Sequence, residues 1–153
     1  MASQFQLDQD YMEKALMLAI EAEQLDEVPV GAIIVRQGNI IGRGHNRVVC
    51  DNDPSAHAEV VALRDAARQI ENYRLTGATL YVTLEPCIMC AGALLNGRID
   101  RVVFGARDTR FGAAGSQLNL LESPFFNHQC NVTAGVLAHR SNQILTSFFA
   151  AKR

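Results

Sequence analysis

The chain has 153 residues, 48% hydrophobic and 20% charged, with a formal charge of −2. That suits one domain over residues 1–153 with an ordinary buried core, and it excludes a collagenous, low-complexity or indiscriminately polyanion-binding chain. The charge is unevenly spread: residues 1–75 hold seven basic and twelve acidic side chains, a balance of −5, and residues 76–153 hold seven and four, a balance of +3. Sampling in a small chain and a basic face built from the C-terminal half both fit that split.

The first ten residues are polar and lack the basic start and apolar run of a signal peptide. No apolar run is long enough to span a bilayer. A cytoplasmic protein without a membrane partner is expected, its four cysteines thiols or metal ligands rather than disulfides.

Residues 8–25 read as an amphipathic helix, capped by Asp8 or Asp10, with Tyr11, Ala15, Leu18, Ala19 and Ala22 at helical spacing. Residues 30–35 are a continuous, β-branched apolar run, as in a buried strand. Turn chemistry at Gln37-Gly38-Asn39 predicts a hairpin to a second strand over 40–46. A polar loop over 47–55 leads into a helix over 56–70, with Val60, Leu63, Ala67 and Ile70 as its apolar face. A strand over 79–84 follows, then Pro86 and a helix to about residue 96 with Gly97 as its stop. Residues 101–106 read as a strand, 107–117 as a loop, 117–122 as a short helix, 131–136 as a fifth strand and 138–150 as a closing helix. Helices alternating with strands after an initial hairpin imply an α/β three-layer fold, a five-stranded mixed sheet with helices on both faces.

The chemistry concentrates in His57-Ala58-Glu59 and Pro86-Cys87-Ile88-Met89-Cys90. Cys87 and Cys90, three apart, share one face of a helix, and a helix N-terminus favours thiolate. Two thiolates and one imidazole from His57 suit zinc, leaving a fourth tetrahedral position for water, as catalytic sites do. Glu59, two residues beyond His57, has the place of a proton shuttle rather than a ligand. A redox CxxC pair beside an unrelated histidine is the bland alternative. The pairing of HxE with a downstream PCxxC weighs against it, being the signature of zinc nucleobase deaminases.

The sequence resembles the bacterial tRNA-specific adenosine deaminase family over nearly its whole length. The likeness runs through Glu27-Val28-Pro29-Val30-Gly31-Ala32, Asp53-Pro54-Ser55-Ala56-His57-Ala58-Glu59 and Asn72-Tyr73-Arg74-Leu75. It continues through Thr79-Leu80-Tyr81-Val82-Thr83-Leu84-Glu85-Pro86-Cys87, Met89-Cys90-Ala91-Gly92-Ala93, Arg101-Val102-Val103-Phe104-Gly105-Ala106-Arg107-Asp108 and Gly112-Ala113-Ala114-Gly115-Ser116. The resemblance implies a cytidine deaminase-like fold, a homodimer and one zinc per subunit, with no organic cofactor. The implied activity is hydrolytic conversion of the wobble adenosine of a tRNA anticodon stem-loop to inosine, usually in an arginine tRNA. It also implies that His57, Cys87 and Cys90 hold zinc, that Glu59 moves protons, and that Asn46 and the Ala58 N–H meet the target nucleotide.

Arg98, Arg101, Arg107, Arg110, Arg140, Lys152 and Arg153 are candidate phosphate contacts, each with plain solvation as the alternative. Asp108 either orients Arg107 or a ribose hydroxyl, or caps a turn. Phe149 is a candidate stacking surface, and one of Phe148 and Phe149 is expected in the core. His45, His128 and His139 lack ligand spacing, and Cys50 and Cys130 read as free thiols. His139-Arg140-Ser141-Asn142 stands where many members of that family carry an acidic, cysteine-containing stretch, and the sequence stops soon after Phe149 where some extend with more basic residues, which bears on RNA affinity rather than chemistry. Two other functions fit less of the pattern: a same-fold deaminase of free guanine, cytosine or nucleosides, and a non-catalytic zinc scaffold that binds RNA.

Overall fold

A computed structural model describes residues 2–152. The elements in chain order are α1 (Gln4–Gln24), β1 (Gly31–Arg36), β2 (Asn39–His45), α2 (Ala58–Ile70), β3 (Thr79–Leu84), α3 (Ile88–Asn96), β4 (Arg101–Ala106), β5 (Asn131–Thr133) and α4 (Ala138–Ala151). The five strands form one sheet in the order β2-β1-β3-β4-β5. β1 pairs antiparallel with both β2 and β3, whereas β4 is parallel to β3 and to β5. The expected mixed sheet is therefore present. Gln37 and Gly38, both at positive φ, make the two-residue turn between β1 and β2.

Alternation along the strands sends side chains to two cores. Ala32, Ile34, Leu80, Val82, Val102 and Phe104 pack with α2 and α3 on one face. Ile33, Val35, Tyr81 and Val103 pack with α1 on the other, where Ile144 of α4 joins them. No helix among the described residues is long and apolar enough to cross a membrane.

Several expectations are corrected. α1 starts at Gln4, and its cap is Ser3, whose Oγ accepts the Gln6 N–H at 3.1 Å. Asp8 is turned inward instead of capping. Its Oδ1 accepts from Tyr81 Oη at 2.9 Å and Arg101 Nη1 at 2.8 Å, and its Oδ2 accepts from Arg101 Nη2 at 2.6 Å. Arg101 is thus spent on holding α1 to the sheet, not on phosphate. The expected short helix over 117–122 is absent because its amides are already committed: the Gln117 and Leu118 N–H groups donate to Gly112 O and the Leu120 N–H to Ala113 O. β5 ends at Thr133, since Gly135 and Val136 turn back to donate to Phe104 O.

The face of α2 also differs. Ala58, Glu59, Ala62 and Ala66 are buried, whereas Val60, Leu63, Ala67 and Ile70 are only partly covered. The reason lies on β2, where a Cβ at Gly42 would stand 2.6 Å from Ala62 O and one at Gly44 2.5 Å from Ala58 O. Helix and strand meet backbone to backbone, and only alanine fits the contact.

Burial by itself would raise the Asp8 carboxyl, but the hydrogen bonds from Arg101, Gln4 and Tyr81 hold it below the ordinary carboxylate value. Its stabilising contribution is therefore fully present above the unfolded value of 3.8 and fades as pH falls towards the lower folded value. Arg101→Ala leaves that carboxylate buried without its cation. The variant is expected to lose about 3 kcal/mol of stability in urea titration at pH 7, with the difference from the parent shrinking as Asp8 protonates.

Candidate active site

Two helix N-termini converge beyond the ends of the strands. His57 is the N-cap residue of α2 and Cys87 that of α3, both with extended backbone and neither capping its helix through its side chain. Their side chains are free to face each other. His57 Nδ1 lies 3.6 Å from Cys87 Sγ and 3.5 Å from Cys90 Sγ, and all three donor atoms fall within 4.8 Å of one another. Tetrahedral zinc with ordinary Zn–N and Zn–S bonds sets an N to S separation of about 3.6 Å. The donor set therefore fits zinc in both chemistry and spacing. The Cys90 thiol pulls Cys87 down to about 4; burial opposes this and His57 adds to it. Cys90 itself is pushed far up by the adjacent Cys87 and by burial. One proton thus stays on the pair until a cation displaces it, as zinc does when it binds thiolates.

Glu59 is the second residue of α2, within its first turn, and is 5% exposed. Burial pushes its carboxyl up to about 7, where it can gain and lose a proton at neutral pH. Asn46, just past β2, accepts the Ala58 N–H on Oδ1 at 2.8 Å. The amide expected to face a substrate is thereby committed to Asn46, and the Asn46 Nδ2 group remains to donate.

Cys90 is fully buried, while His57, Glu59, Cys87 and Asn46 line a cavity of about 880 Å³, together with apolar Val30, Val48, Leu84 and Phe148. Asp108, Phe149 and Lys152 line it as well, and so do Arg110, Phe111, Gln117 and Leu118. Asp108 caps a turn, its Oδ1 accepting the Arg110 and Phe111 N–H groups at 3.0 Å each. Arg107 is outside the cavity lining and stacks over Phe104, 5.5 Å from the ring centroid. Phe148 is buried and Phe149 is exposed. Lys152 is ion-paired with Asp26 and Arg140 with Glu13, while Arg98 donates to Leu95 O. Arg153 lies outside the described residues. The four cysteines are free thiols.

Sequence reasoning missed two buried acids. Glu27 accepts the Val49 and Cys50 N–H groups at 3.1 and 2.7 Å, fixing the loop after Asn46. Glu85 accepts donors from the loop after β4. Burial favours raising both carboxyls, yet these donors hold both below the usual range. The available signal was a carboxylate set directly against an apolar strand or its Pro-Cys extension.

Residues 5–106 match the cytidine and deoxycytidylate deaminase zinc-binding region. A tRNA-specific adenosine deaminase of Haemophilus influenzae is 51% identical over 149 residues, covering 97% of this chain and 86% of that one. The chain belongs to the tRNA-specific adenosine deaminase family. A solved structure from a study of A-to-I editing by tRNA:A34 deaminases at the wobble position of transfer RNA superposes with a TM-score of 0.86 and 43% identity, over 89% of this chain and 99% of that one. A guanine deaminase from Nitrosomonas europaea shares the fold with a TM-score of 0.83 and 25% identity, over 98% and 86% of the two chains. Zinc is the metal of this deaminase family, and His57, Cys87 and Cys90 are the donors that fit it here.

Because the site joins α2 to α3, metal supports the fold as well as the chemistry. Chelation of the zinc-loaded protein is expected to lower its thermal midpoint, and Cys87→Ser to leave well under one zinc per chain by atomic absorption. An unchanged metal content in that variant would remove Cys87 from the donor set.

Proposed function

We propose that the chain carries out zinc-dependent hydrolytic deamination of adenosine to inosine at the wobble position of tRNA, an arginine tRNA being the expected substrate. The observation that carries this reading is the buried Glu59 carboxyl beside the His57, Cys87 and Cys90 donors in a nucleotide-sized cavity, in a chain so similar to tRNA-specific adenosine deaminases. Residues 1–153 act as one deaminase unit.

Zinc held by His57, Cys87 and Cys90 supplies Lewis acidity that makes water a nucleophile at neutral pH. Glu59 takes the proton of that water and gives it to the ring nitrogen beside the amine-bearing carbon. The oxygen of that water bonds to the amine-bearing carbon, and Glu59 then passes the remaining proton of the same oxygen to the amine as the C–N bond breaks, so that adenosine and water become inosine and ammonia. Asn46 donates through Nδ2 to an acceptor on the base, and the Ala58 N–H serves the base by holding Asn46 in that orientation. The anticodon loop is a favourable source of substrate because its unpaired bases can splay out. Phe149 offers a face for a neighbouring base. Arg107 is assigned to phosphates, as are Arg153 beyond the described residues and Lys152 once RNA displaces its exposed partner Asp26, with Asp108 shaping the loop beside them. A homodimer is part of this reading, and Met89, exposed on α3 outside the cavity lining, is available to such a contact. Such a substrate and a pair of metal-binding thiols both suit the cytoplasm.

Inosine formation in an arginine tRNA anticodon stem-loop, set against free adenosine, guanine and cytosine, tests the reading. The stem-loop is expected to be the preferred substrate by at least about a hundredfold in kcat/KM. Faster turnover of guanine would transfer the chain to the free-base deaminases. Ammonia from none of them at full zinc occupancy would leave a non-catalytic scaffold. Glu59→Gln is expected to keep its zinc and lose kcat by about a hundredfold or more; near-parental turnover would end its assignment as proton shuttle.

A further inference from the structure

Glu85 is a buried carboxylate at the cavity wall to which the deamination steps above assign no part. It is 2% exposed and stands two residues before Cys87, between the end of β3 and the start of α3. It accepts four hydrogen bonds, all from the loop after β4. The Asp108 N–H donates to Oε1 at 3.1 Å, the Ala114 and Ser116 N–H groups to Oε2 at 3.0 Å each, and the Ser116 hydroxyl to Oε1. The backbone reinforces the attachment: the Glu85 N–H donates to Ala106 O and the Ala113 N–H to Pro86 O, both at 2.8 Å. The loop wraps the carboxyl so closely that a Cβ at Gly112 would lie 2.4 Å from Glu85 Cδ.

That loop supplies the cavity with Asp108, Arg110, Phe111, Gln117 and Leu118. Its turn at Asp108 rests on the same anchor, because the residue whose N–H binds Glu85 also caps the Arg110 and Phe111 amides. One short segment therefore carries a zinc donor, Cys87, and the anchor of the cavity wall. We propose that Glu85 is a positioning residue that holds the RNA-facing loop in register with the metal centre. The proposal rests on the reading of the cavity as an RNA site. Only a carboxylate of this length meets the demand. The loop presents four donors to it, so an amide in its place sets N–H against N–H, and aspartate falls one methylene short.

The test compares the zinc-loaded parent with Glu85→Gln and Ser116→Ala, using steady-state kinetics on the anticodon stem-loop and amide hydrogen exchange. Glu85→Gln is expected to keep its zinc, raise KM about tenfold or more with kcat within about threefold, and exchange faster in residues 108–118 while α2 and α3 stay protected. Ser116→Ala, which removes one donor and leaves the carboxylate, is expected to raise KM about threefold. A merely structural carboxylate would lower the melting temperature and leave KM alone, and unchanged KM in both variants overturns the proposal. If Glu85→Gln does not fold, KM of Ser116→Ala decides by itself. A parent inactive on the stem-loop sinks the substrate reading instead. Exchange then judges the anchor: acceleration confined to the loop upholds it, and acceleration spread through the chain or absent overturns it.

Discussion

Backbone contact between α2 and β2 sets the dimensions of the active site. Gly42 and Gly44 lie against Ala58, Ala62 and Ala66 with no room for a Cβ, and the first residue before α2 is His57. A bulkier contact would lift the whole helix and carry its imidazole away from Cys87 and Cys90, which α3 holds over the middle of the sheet. Metal distances tolerate deviations of only about 0.2 Å, less than one methyl group would impose. Alanine and glycine bury little apolar area, so this contact adds little hydrophobic stabilisation. Ile34, Leu80, Leu94 and Phe104 provide that elsewhere in the same core. The fold thus separates the contact that sets geometry from the contacts that supply stability.

Four acids are buried, and their surroundings sort them by task. Asp8, Glu27 and Glu85 each meet several donors and are held below the ordinary carboxylate range. They remain charged at neutral pH and tie α1, the loop after β2 and the loop after β4 to the sheet. Glu59 is comparably buried, yet burial dominates and pushes it up to about 7. Desolvation acts on all four, and the number of donors decides its outcome. The acids that never change protonation build the walls, and the one poised to change it stands beside the metal donors.

The metal donors and the proton shuttle were legible because their chemistry is local. HxE and PCxxC each occupy a helix start, and one helical turn suffices to set the spacing of Cys87 and Cys90. Strand positions followed from runs of β-branched residues and, for β2, from the turn chemistry at Gln37-Gly38-Asn39, and four of the five strands matched to within about a residue or two. What failed depended on partners distant in sequence. Asp8 looked like a cap because nothing nearby announces Arg101, on the far side of the chain. The face of α2 was misplaced because its larger apolar residues drew attention, whereas glycines on β2 select alanine. The segment over 117–122 has helical composition but spends its amides on Gly112 and Ala113. Glu85 was visible only as part of a family motif, since its four donors lie 23 to 31 residues away.

Selection of substrate must come from the walls, because the sheet, helices and zinc region are shared with enzymes of other substrates, guanine deaminase among them. The uneven charge takes a more local meaning in that light. Arg101, Arg140 and Lys152 of the basic half are each ion-paired with acids from the first 26 residues. The two halves therefore neutralise each other across the fold, and a broad basic face does not form from these residues. Arg107 and Arg110 have no acidic partner among the ion pairs of the described residues, and both stand on the loop that Glu85 anchors. At physiological salt a charge acts over about 8 Å, so the guanidinium of Arg110 on the cavity wall and that of Arg107 on the same loop attract a phosphate only when an RNA loop is already close. A chain of net charge −2 can in this way be indifferent to most polyanions and still favour the one whose bases reach its metal.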